Sequence, residues 1–407
     1  MSIFSLPGIP NIHSHAFQRA MAGLAERQSD RADSFWSWRE LMYRFAGRIT
    51  PESLHDIAAQ LFVEMLQAGY TSVCEFHYLH QQADGKPYDD PAAMSHALIA
   101  AARETGIRLT LLPVLYMTGG FDDRALSERQ RRFGHSVQSY LRLLQSLRAE
   151  EGPLLRVGVA LHSLRAVPVA AMRELLAATS TGAAQPIHIH IAEQTAEVEE
   201  CLAIRGARPV QWLLANAPVD EHWTLVHATH LTKAEVIGVA QTNAVVALCP
   251  TTEANLGDGV FPLRDFLDHG GVFGIGSDSN VSVSPVEELR WLEYAQRLVT
   301  HQRNVAVTPG LPSTGESLIV QSVAGGRQAN GQDGQDKDLL KLDQAALSLA
   351  GAAAADVQDR FVFSGNRNLV KDVFVAGVQV IRDGQHAKGE QIQRRYRSAL
   401  RSLLCDS

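Results

Sequence analysis

Short apolar runs alternate with longer amphipathic stretches along most of the chain. The runs that have the length and composition of β-strands are residues 10–15, 71–76, 108–115, 156–161, 186–191, 224–227, 244–248 and 272–276. Strands that are apolar on both faces and alternate with helices are typical of a parallel sheet covered by helices. This pattern predicts an α/β fold, a closed (β/α)8 TIM-like barrel, with a doubly wound open sheet as the alternative.

One amphipathic stretch between the first two predicted strands has clear helix boundaries. Thr50 is suited to cap a helix, Pro51 to stand in its first turn and Gly69 to end it. Apolar residues recur between them at helical spacing. We therefore expect a helix that begins at Pro51 and ends before Gly69.

The pattern changes after the last of these strands. Residues 325–334 are rich in Gly, Gln, Asn and Asp and predict a flexible connection. Beyond it, residues 371–377 and 378–384 predict a β-hairpin, and residues 391–404 predict a closing helix. We predict a barrel domain at 1–331 and a C-terminal segment at 332–407.

Polar side chains able to bind a metal collect at the carboxyl ends of the predicted strands, the edge where barrel enzymes place their active sites. The first strand ends in His13-Ser14-His15, and the alternation of side chains along a strand points both histidines to one side. Later strand ends carry Glu75, His77, Tyr78, His162, Arg165, His188, His190, Glu193, His227, His230 and Asp278. A His-Ser-His pair alone is weak evidence for a metal site. Together with the residues at the later strand ends, it becomes one half of a candidate metal site.

These residue types support hydrolysis at a divalent metal, for which zinc is the best candidate. His13, His15, His190 and the Asp278 carboxylate supply nitrogen and oxygen ligands, and such a metal lowers the pKa of bound water toward roughly 7. Asp278 could also accept a proton of that water. Glu193 could protonate a leaving amine, and His227 could hydrogen-bond the attacking oxygen. We read His188 as structural, and His77, His80 and His230 as structural or as supports for the ligand residues.

The predicted fourth strand ends in His162 and carries no lysine that could bridge two metals. We therefore expect one metal ion. Arg39 and Arg165 are then the cations that would bind anionic groups of a substrate, as guanidinium groups do with bidentate geometry.

Composition excludes several other classes of function. Hydrophobic residues make up 45% and charged residues 20% of the 407 residues, as in globular proteins, and the net charge of −7 argues against nucleic acid or a membrane surface as a partner. We find no apolar run long enough for a bilayer and no signal peptide. The cysteines at 74, 201, 249 and 405 have no CxxC spacing, which favours reduced thiols in the cytoplasm.

Several motifs resemble those of a known family. His13-Ser14-His15, His190-Ile191-Ala192-Glu193, His227 and Ser277-Asp278-Ser279-Asn280 are similar to the amidohydrolase superfamily, in its mononuclear deaminase branch. Residues 10–21, 35–39, 75–80 and 161–167 resemble the N-formimino-L-glutamate deiminases within it. The resemblance covers nearly the whole chain.

The resemblance implies roles for individual residues. It makes His13, His15, His190 and Asp278 the zinc ligands and Glu193 and His227 the catalytic pair, with Asp278 sharing in catalysis. A dianionic amidine substrate would be held by Gln18, Arg39, Tyr78, His162 and Arg165. The implied reaction hydrolyses the formimino carbon–nitrogen double bond in histidine breakdown, releasing N-formyl-L-glutamate and ammonia. We further expect a homodimer.

The chain departs from the family pattern at both ends. Family members carry several dozen residues before the first barrel strand, and these residues build part of a small β-sandwich. The stretch 331–349 also lacks the family's strand-forming pattern. We therefore expect an incomplete C-terminal β element whose strands around 373–381 lack partners.

The residues alone leave two alternatives to a deiminase open. The same metal site could deaminate a cyclic base such as guanine or cytosine, although a neutral base has no use for two cations. The chain could also be a catalytically impaired protein that only binds metal or ligand.

Overall fold

The computed structural model of the chain describes residues 3–26, 35–180, 184–332 and 334–405, with no side chains described for 35–37. Fourteen strands lie in this part: β1 (Ser5–Pro7), β2 (Ile9–Ser14), β3 (Tyr70–His77), β4 (Arg108–Leu115), β5 (Leu155–Val157), β6 (Val159–Ser163), β7 (Ile187–Ile191), β8 (Trp223–His227), β9 (Val245–Leu248), β10 (Val272–Ile275), β11 (Leu339–Leu342), β12 (Val370–Val375), β13 (Val378–Arg382) and β14 (Gln385–His386).

The described residues also form fourteen α-helices. They are α1 (Phe35–Ala46), α2 (Pro51–Ala68), α3 (Ala93–Thr105), α4 (Val137–Arg148), α5 (Val169–Thr179), α6 (Thr195–Arg205), α7 (Pro209–Asn216), α8 (Lys233–Thr242), α9 (Pro250–Leu256), α10 (Leu263–Asp268), α11 (Pro285–Thr300), α12 (Thr314–Asn330), α13 (Val357–Phe363) and α14 (Gly389–Leu404). Short 3₁₀ helices cover Ala16–Met21, Glu128–Phe133, Gln335–Lys337 and Leu347–Leu349.

The strands β2 to β10 form a closed parallel barrel, which confirms the predicted fold class. Their order is β3-β2-β10-β9-β8-β7-β6-β4-β5, and a further pairing of β3 with β4 closes the sheet. All eight predicted strands are present, and the fourth is divided into β5 and β6 at Gly158. A Cβ at Gly158 would lie 2.6 Å from Leu112 Cδ2 and 2.9 Å from the Pro186 carbonyl oxygen, so only glycine fits between the neighbouring strands.

The helix predicted from its caps is confirmed as α2. The Thr50 side chain accepts a hydrogen bond from Ser53 N, Pro51 is the first helical residue, and Gly69 ends the helix in the left-handed conformation (φ 111°). Its apolar side packs on the barrel, and Ile57, Leu61 and Met65 are fully buried.

The predicted flexible connection at 325–334 is wrong for most of its length, because residues 314–330 form α12. Glycines at 325 and 326 allow this helix to lie directly on the barrel: a Cβ there would lie 2.1 Å from the Phe273 carbonyl oxygen and 2.7 Å from Pro10 Cβ, respectively. The carbonyl of Ala329 accepts a hydrogen bond from His188 Nε2. The glycines that suggested flexibility thus serve close packing.

A second sheet, of order β1-β11-β12-β13-β14, combines both ends of the described chain. The hairpin β12–β13 and the closing helix α14 confirm two predictions. The expectation that these strands lack partners is wrong, because β11 forms within 331–349 and pairs with both β1 and β12. The boundary at 331/332 stays a prediction.

A buried ion pair joins this sheet to the barrel. Arg108 Nε at the start of β4 donates to Asp338 Oδ2 over 2.8 Å, and both side chains are buried. Asp338 Oδ1 accepts from Ala376 N, so the same carboxylate also holds the turn between β12 and β13. None of the helices in the described ranges combines the length and the apolar character needed to cross a membrane.

Candidate metal and active site

Three imidazoles and one carboxylate converge at the carboxyl ends of β2, β7 and β10. The Nε2 atoms of His13 and His190 lie 3.0 Å apart. Asp278 Oδ1 lies 3.5 Å from His13 Nε2 and 3.3 Å from His15 Nε2. The structure thus brings together the four residues that sequence reasoning selected as metal ligands.

Backbone hydrogen bonds between the ends of the first and the last barrel strand position three of the four residues. Asp278 N donates to the His13 carbonyl and His15 N donates to the Asp278 carbonyl, each over 3.0 Å. Gly276 allows this close approach, since a Cβ there would lie 2.8 Å from both Cβ and O of His13. Asn280 Nδ2 donates to the carbonyls of His15 and Asp278 and fixes the loop.

Main-chain carbonyls orient two of the imidazoles. His15 Nδ1 donates to Phe76 O over 2.8 Å and His190 Nδ1 donates to His162 O over 3.0 Å. With the proton on Nδ1, the Nε2 lone pair of each ring faces the centre of the cluster. Burial also lowers the pKa of His13 to about 3 and lowers the pKa values of His15 and His190, so the neutral, metal-binding form is favoured.

The donor set fits a divalent metal. The candidate ligand nitrogens of His13, His15 and His190 all lie within 4.8 Å of one another. The Nε2 atoms of His13 and His190, 3.0 Å apart, are close enough to bind one metal ion, since zinc–nitrogen bonds are about 2.0–2.1 Å long. Neutral imidazoles with carboxylate are a ligand combination that zinc accepts.

His227 and Glu193 lie beside this cluster. His227 Nε2 is 3.7 Å from Asp278 Oδ2 and 3.9 Å from Glu193 Oε1. Burial of His227 disfavours its charged form, but Glu193, Glu253 and Asp278 outweigh it and raise the pKa of His227 to about 10. Burial raises the pKa of Glu193, against the effect of His227. The charges of the His227 imidazole and of the surrounding carboxylates therefore influence one another.

The backbone around Glu193 is held by Glu197 at the start of α6. The Glu197 carboxylate accepts hydrogen bonds from Ala192 N and Glu193 N, each over 3.1 Å. Ala192 has the left-handed φ of 51°, which a non-glycine residue adopts only when its surroundings require it. Glu197 thereby fixes the direction in which Glu193 leaves the strand.

A cleft above the cluster contains all the residues predicted to bind substrate: Gln18, Arg39, Tyr78, His162 and Arg165. Gln18 Nε2 donates to the Tyr78 hydroxyl over 2.9 Å. The Gln18 Oε1 atom is buried and has no hydrogen-bond partner among the described residues. It is available to accept a hydrogen bond from a bound molecule.

Sequence reasoning missed other residues of the cleft. Its wall also includes Trp38, Met42, Tyr43, Tyr116, Phe133 and Leu256. The Arg39 guanidinium lies 5.2 Å above the ring of Tyr43, one turn further along α1. Burial by itself lowers the pKa of Arg165. Tyr116, Glu197 and Tyr43 outweigh this effect, raise the pKa and keep the guanidinium charged. The helical spacing of Arg39 and Tyr43 was one available signal. Tyr116 directly follows β4 and so had the same strand-end signal that selected Tyr78.

Glu253 was also missed. It lies in α9, just after β9, and its Oε1 is 3.3 Å from His227 Nδ1. A glutamate five residues beyond the end of a barrel strand was a signal that could have been read.

Comparison with known proteins gives a consistent result. The sequence model of the amidohydrolase family matches residues 4–311. The formimidoylglutamate deiminase of Pseudomonas aeruginosa is 52% identical over 98% of this chain and 89% of its own length. A 5-methylthioadenosine/S-adenosylhomocysteine deaminase of Thermodesulfovibrio yellowstonii is 24% identical over 94% of this chain and 81% of its own.

Solved structures share the fold. An amidohydrolase from Brucella melitensis superposes with a TM-score of 0.93 at 44% identity, covering 98% of this chain and 90% of that one. The zinc complex of atrazine chlorohydrolase from Arthrobacter aurescens has a TM-score of 0.79 at 19% identity, with 97% and 88% covered, which is a likeness of fold alone.

The metal assignment is tested by removing one donor. We expect His190→Ala to lose at least about nine-tenths of the divalent metal that copurifies with the protein, because a ligand is removed from a closely packed site. The measurement is metal content per folded chain. His188→Ala is the matched control, since this neighbour on β7 binds the Ala329 carbonyl instead. Equal metal content in both variants would contradict the assignment.

Proposed function

Because the chain belongs to the amidohydrolase family, we propose that it is a metal-dependent hydrolase of N-formimino-L-glutamate. Water replaces the terminal nitrogen of the formimino group, the carbon–nitrogen double bond is broken, and N-formyl-L-glutamate and ammonia are released. The reaction would be a step of histidine breakdown. The 52% identity to a formimidoylglutamate deiminase over 98% of the chain supports this substrate.

One observation carries the proposal: two guanidinium groups and the donor cluster line the same cleft. Arg39 and Arg165 line the same cleft as His190 and Asp278. A substrate with two carboxylates at one end and an amidine at the other needs cations away from the reacting carbon. Guanidinium groups bind carboxylates through charge-assisted, bidentate hydrogen bonds.

We propose one zinc ion, held by His13, His15, His190 and Asp278. When bound, it would supply a water of lowered pKa and polarise the reacting carbon–nitrogen bond. No lysine follows the fourth strand at His162, and this supports a single ion. The amidohydrolase family and the clustered histidine and aspartate donors support a metal site here.

The chain's own residues would handle the protons. Asp278 would accept a proton from the attacking water, and Glu193 would carry a proton to the departing nitrogen. Burial raises the pKa of Glu193, which favours the protonated form that a proton donor needs. His227, through Nε2, would donate a hydrogen bond to the attacking oxygen and stabilise the charge that develops there.

The glutamate part of the substrate would lie toward α1 and the ends of β3 and β6. Arg39 and Arg165 would bind its carboxylates, with Gln18, Tyr78 and His162 donating or accepting further hydrogen bonds. The apolar residues Trp38, Met42 and Phe133 would exclude water from these ion pairs. Exclusion of water strengthens each interaction, since screening falls with the local dielectric.

We further propose a cytoplasmic location. All four cysteines are free, three of them buried, which fits a reducing compartment. The homodimer stays a prediction.

The function is tested by ammonia release from a panel of substrates. We expect metal-loaded protein to turn over N-formimino-L-glutamate and to leave guanine, cytosine and adenosine essentially unchanged, because a neutral base cannot engage two guanidinium groups. The measurement is steady-state ammonia production. Turnover confined to the bases would contradict the proposal, and so would binding of metal and substrate with no ammonia from any of them.

The role of Glu193 is tested by Glu193→Gln. We expect kcat to fall at least about 100-fold with metal content unchanged, because the amide cannot transfer a proton. Glu199→Gln, at an exposed position on α6, the helix that follows Glu193, is the control and should keep the wild-type rate. An unchanged rate in Glu193→Gln would remove this residue from the mechanism.

Arg165→Met tests recognition of the dianion. We expect KM to rise about 10- to 100-fold, the cost of losing a charged hydrogen bond of about 1.5–3 kcal/mol, with metal content unchanged. Exposed Arg173 on α5 gives the matched control Arg173→Met. A KM equal to that of the wild type would show that Arg165 does not bind the substrate.

A further inference from the structure

The Glu253 carboxylate is buried behind His227, on the side opposite to the reaction centre. Its Oε1 accepts hydrogen bonds from Cys249 N over 2.9 Å and from His227 Nδ1 over 3.3 Å. Glu253 is 5% exposed and His227 is 1% exposed. The Glu253 backbone N also donates to Cys249 O over 2.9 Å at the start of α9, so the main chain and the side chain of Glu253 both contact Cys249.

His227 needs such support because its backbone is strained. His227 and Ala228 both have left-handed φ angles, of 67° and 48°. Neither residue is a glycine, so each conformation is strained and persists only where the surroundings hold it. The ring stacks on His190 with centroids 5.6 Å apart, which fixes its plane but not which nitrogen faces inward.

We propose that Glu253 is the positioning residue of His227: it accepts the hydrogen bond of Nδ1–H and turns Nε2–H toward Asp278 and Glu193. The inference rests on the proposed function, in which His227 Nε2 donates to the attacking oxygen. A carboxylate that accepts from one imidazole nitrogen fixes the ring's orientation and leaves the other nitrogen for the reaction. Glu253 makes and breaks no covalent bond and transfers no proton.

The same side chains allow a second interpretation. The ligand atoms of His227, Cys249 and Glu253 lie within 4.8 Å of one another and could hold a metal ion. Burial raises the pKa of the Cys249 thiol well above its usual value, so the thiol keeps its proton and is a poor ligand. The hydrogen bond to Nδ1 uses the nitrogen that such a metal would need, and we therefore assign Glu253 to His227.

The experiment compares Glu253→Ala and Glu253→Gln in the metal-loaded protein with N-formimino-L-glutamate. We expect the alanine variant to lower kcat about 100-fold with KM within about threefold, as for other residues that orient a histidine at a metal site. Glutamine keeps an oxygen that can accept from both Cys249 N and His227 Nδ1, and we expect it to recover about tenfold of the loss.

The matched control is Glu288→Ala, which disturbs the start of the same helix without touching His227. Glu288 is fully buried and accepts from Thr251 N over 2.9 Å and from Thr251 Oγ1 over 2.6 Å. We expect a lower melting temperature in this variant with kcat per folded chain close to that of the wild type. A purely structural role for Glu253 would make the two variants behave alike.

A double-mutant cycle with His227→Asn separates positioning from general damage. If Glu253 acts through the imidazole, Glu253→Ala should lower kcat less than about twofold once that imidazole is gone. The downfield proton resonance of the hydrogen-bonded Nδ1–H gives a second readout that does not depend on rate. It should be lost in both Glu253→Ala and His227→Asn and kept in Glu288→Ala.

Three results would overturn the inference: a wild-type kcat in Glu253→Ala, a loss of equal size in the His227→Asn background, or a second metal equivalent that Glu253→Ala removes. Each presupposes that the wild-type protein releases ammonia from N-formimino-L-glutamate. If the wild-type protein releases no ammonia, the proposed function is refuted instead. That result is distinct from the three results that would overturn the role of Glu253.

Discussion

The hydrogen bonds that close the barrel between β2 and β10 are the constraint on which the rest of the site depends. They join the His13 carbonyl to Asp278 N and the Asp278 carbonyl to His15 N, about 265 positions apart in the chain, since Ser14 pairs with Asp278. The same contacts that complete the sheet thus bring three donor residues together. The geometry of the metal site and the pairing of the first and last barrel strands therefore depend on the same hydrogen bonds. A change that disturbs one would disturb the other.

Burial then gives the site its electrostatic character. Desolvation keeps His13, His15 and His190 neutral, whereas His227 is surrounded by Glu193, Glu253 and Asp278 and is held in its charged form. The difference comes from neighbours, because all four rings are removed from water. A short distance thus separates groups suited to bind a cation from one suited to donate a hydrogen bond.

The sequence allowed the barrel and the strand-end residues to be predicted for a physical reason. Apolar strands alternate with helices, and the carboxyl ends of parallel strands must meet at one edge, so His13, His190 and Asp278 could be grouped before any coordinates. The position of α12 could not be predicted, since glycines that permit close packing and glycines that permit flexibility look alike in a sequence. Tyr116 and Glu253 were missed because a position near a strand end does not by itself show that a side chain interacts with Arg165 or His227.

The separation of strand ends from the surrounding helices and loops also explains how relatives with different names and activities can share one fold. Deaminases about 24% identical to this chain align along most of it, and a solved hydrolase at 19% identity has the same fold. The donor cluster is built from strand ends and strand-to-strand contacts, which the barrel itself fixes. Arg39 and Tyr43 come from α1, and Arg165 from the loop after β6, so they can change without moving the cluster. On the proposed function, the charges carried by α1 and this loop, more than the cluster, would decide which molecule is hydrolysed.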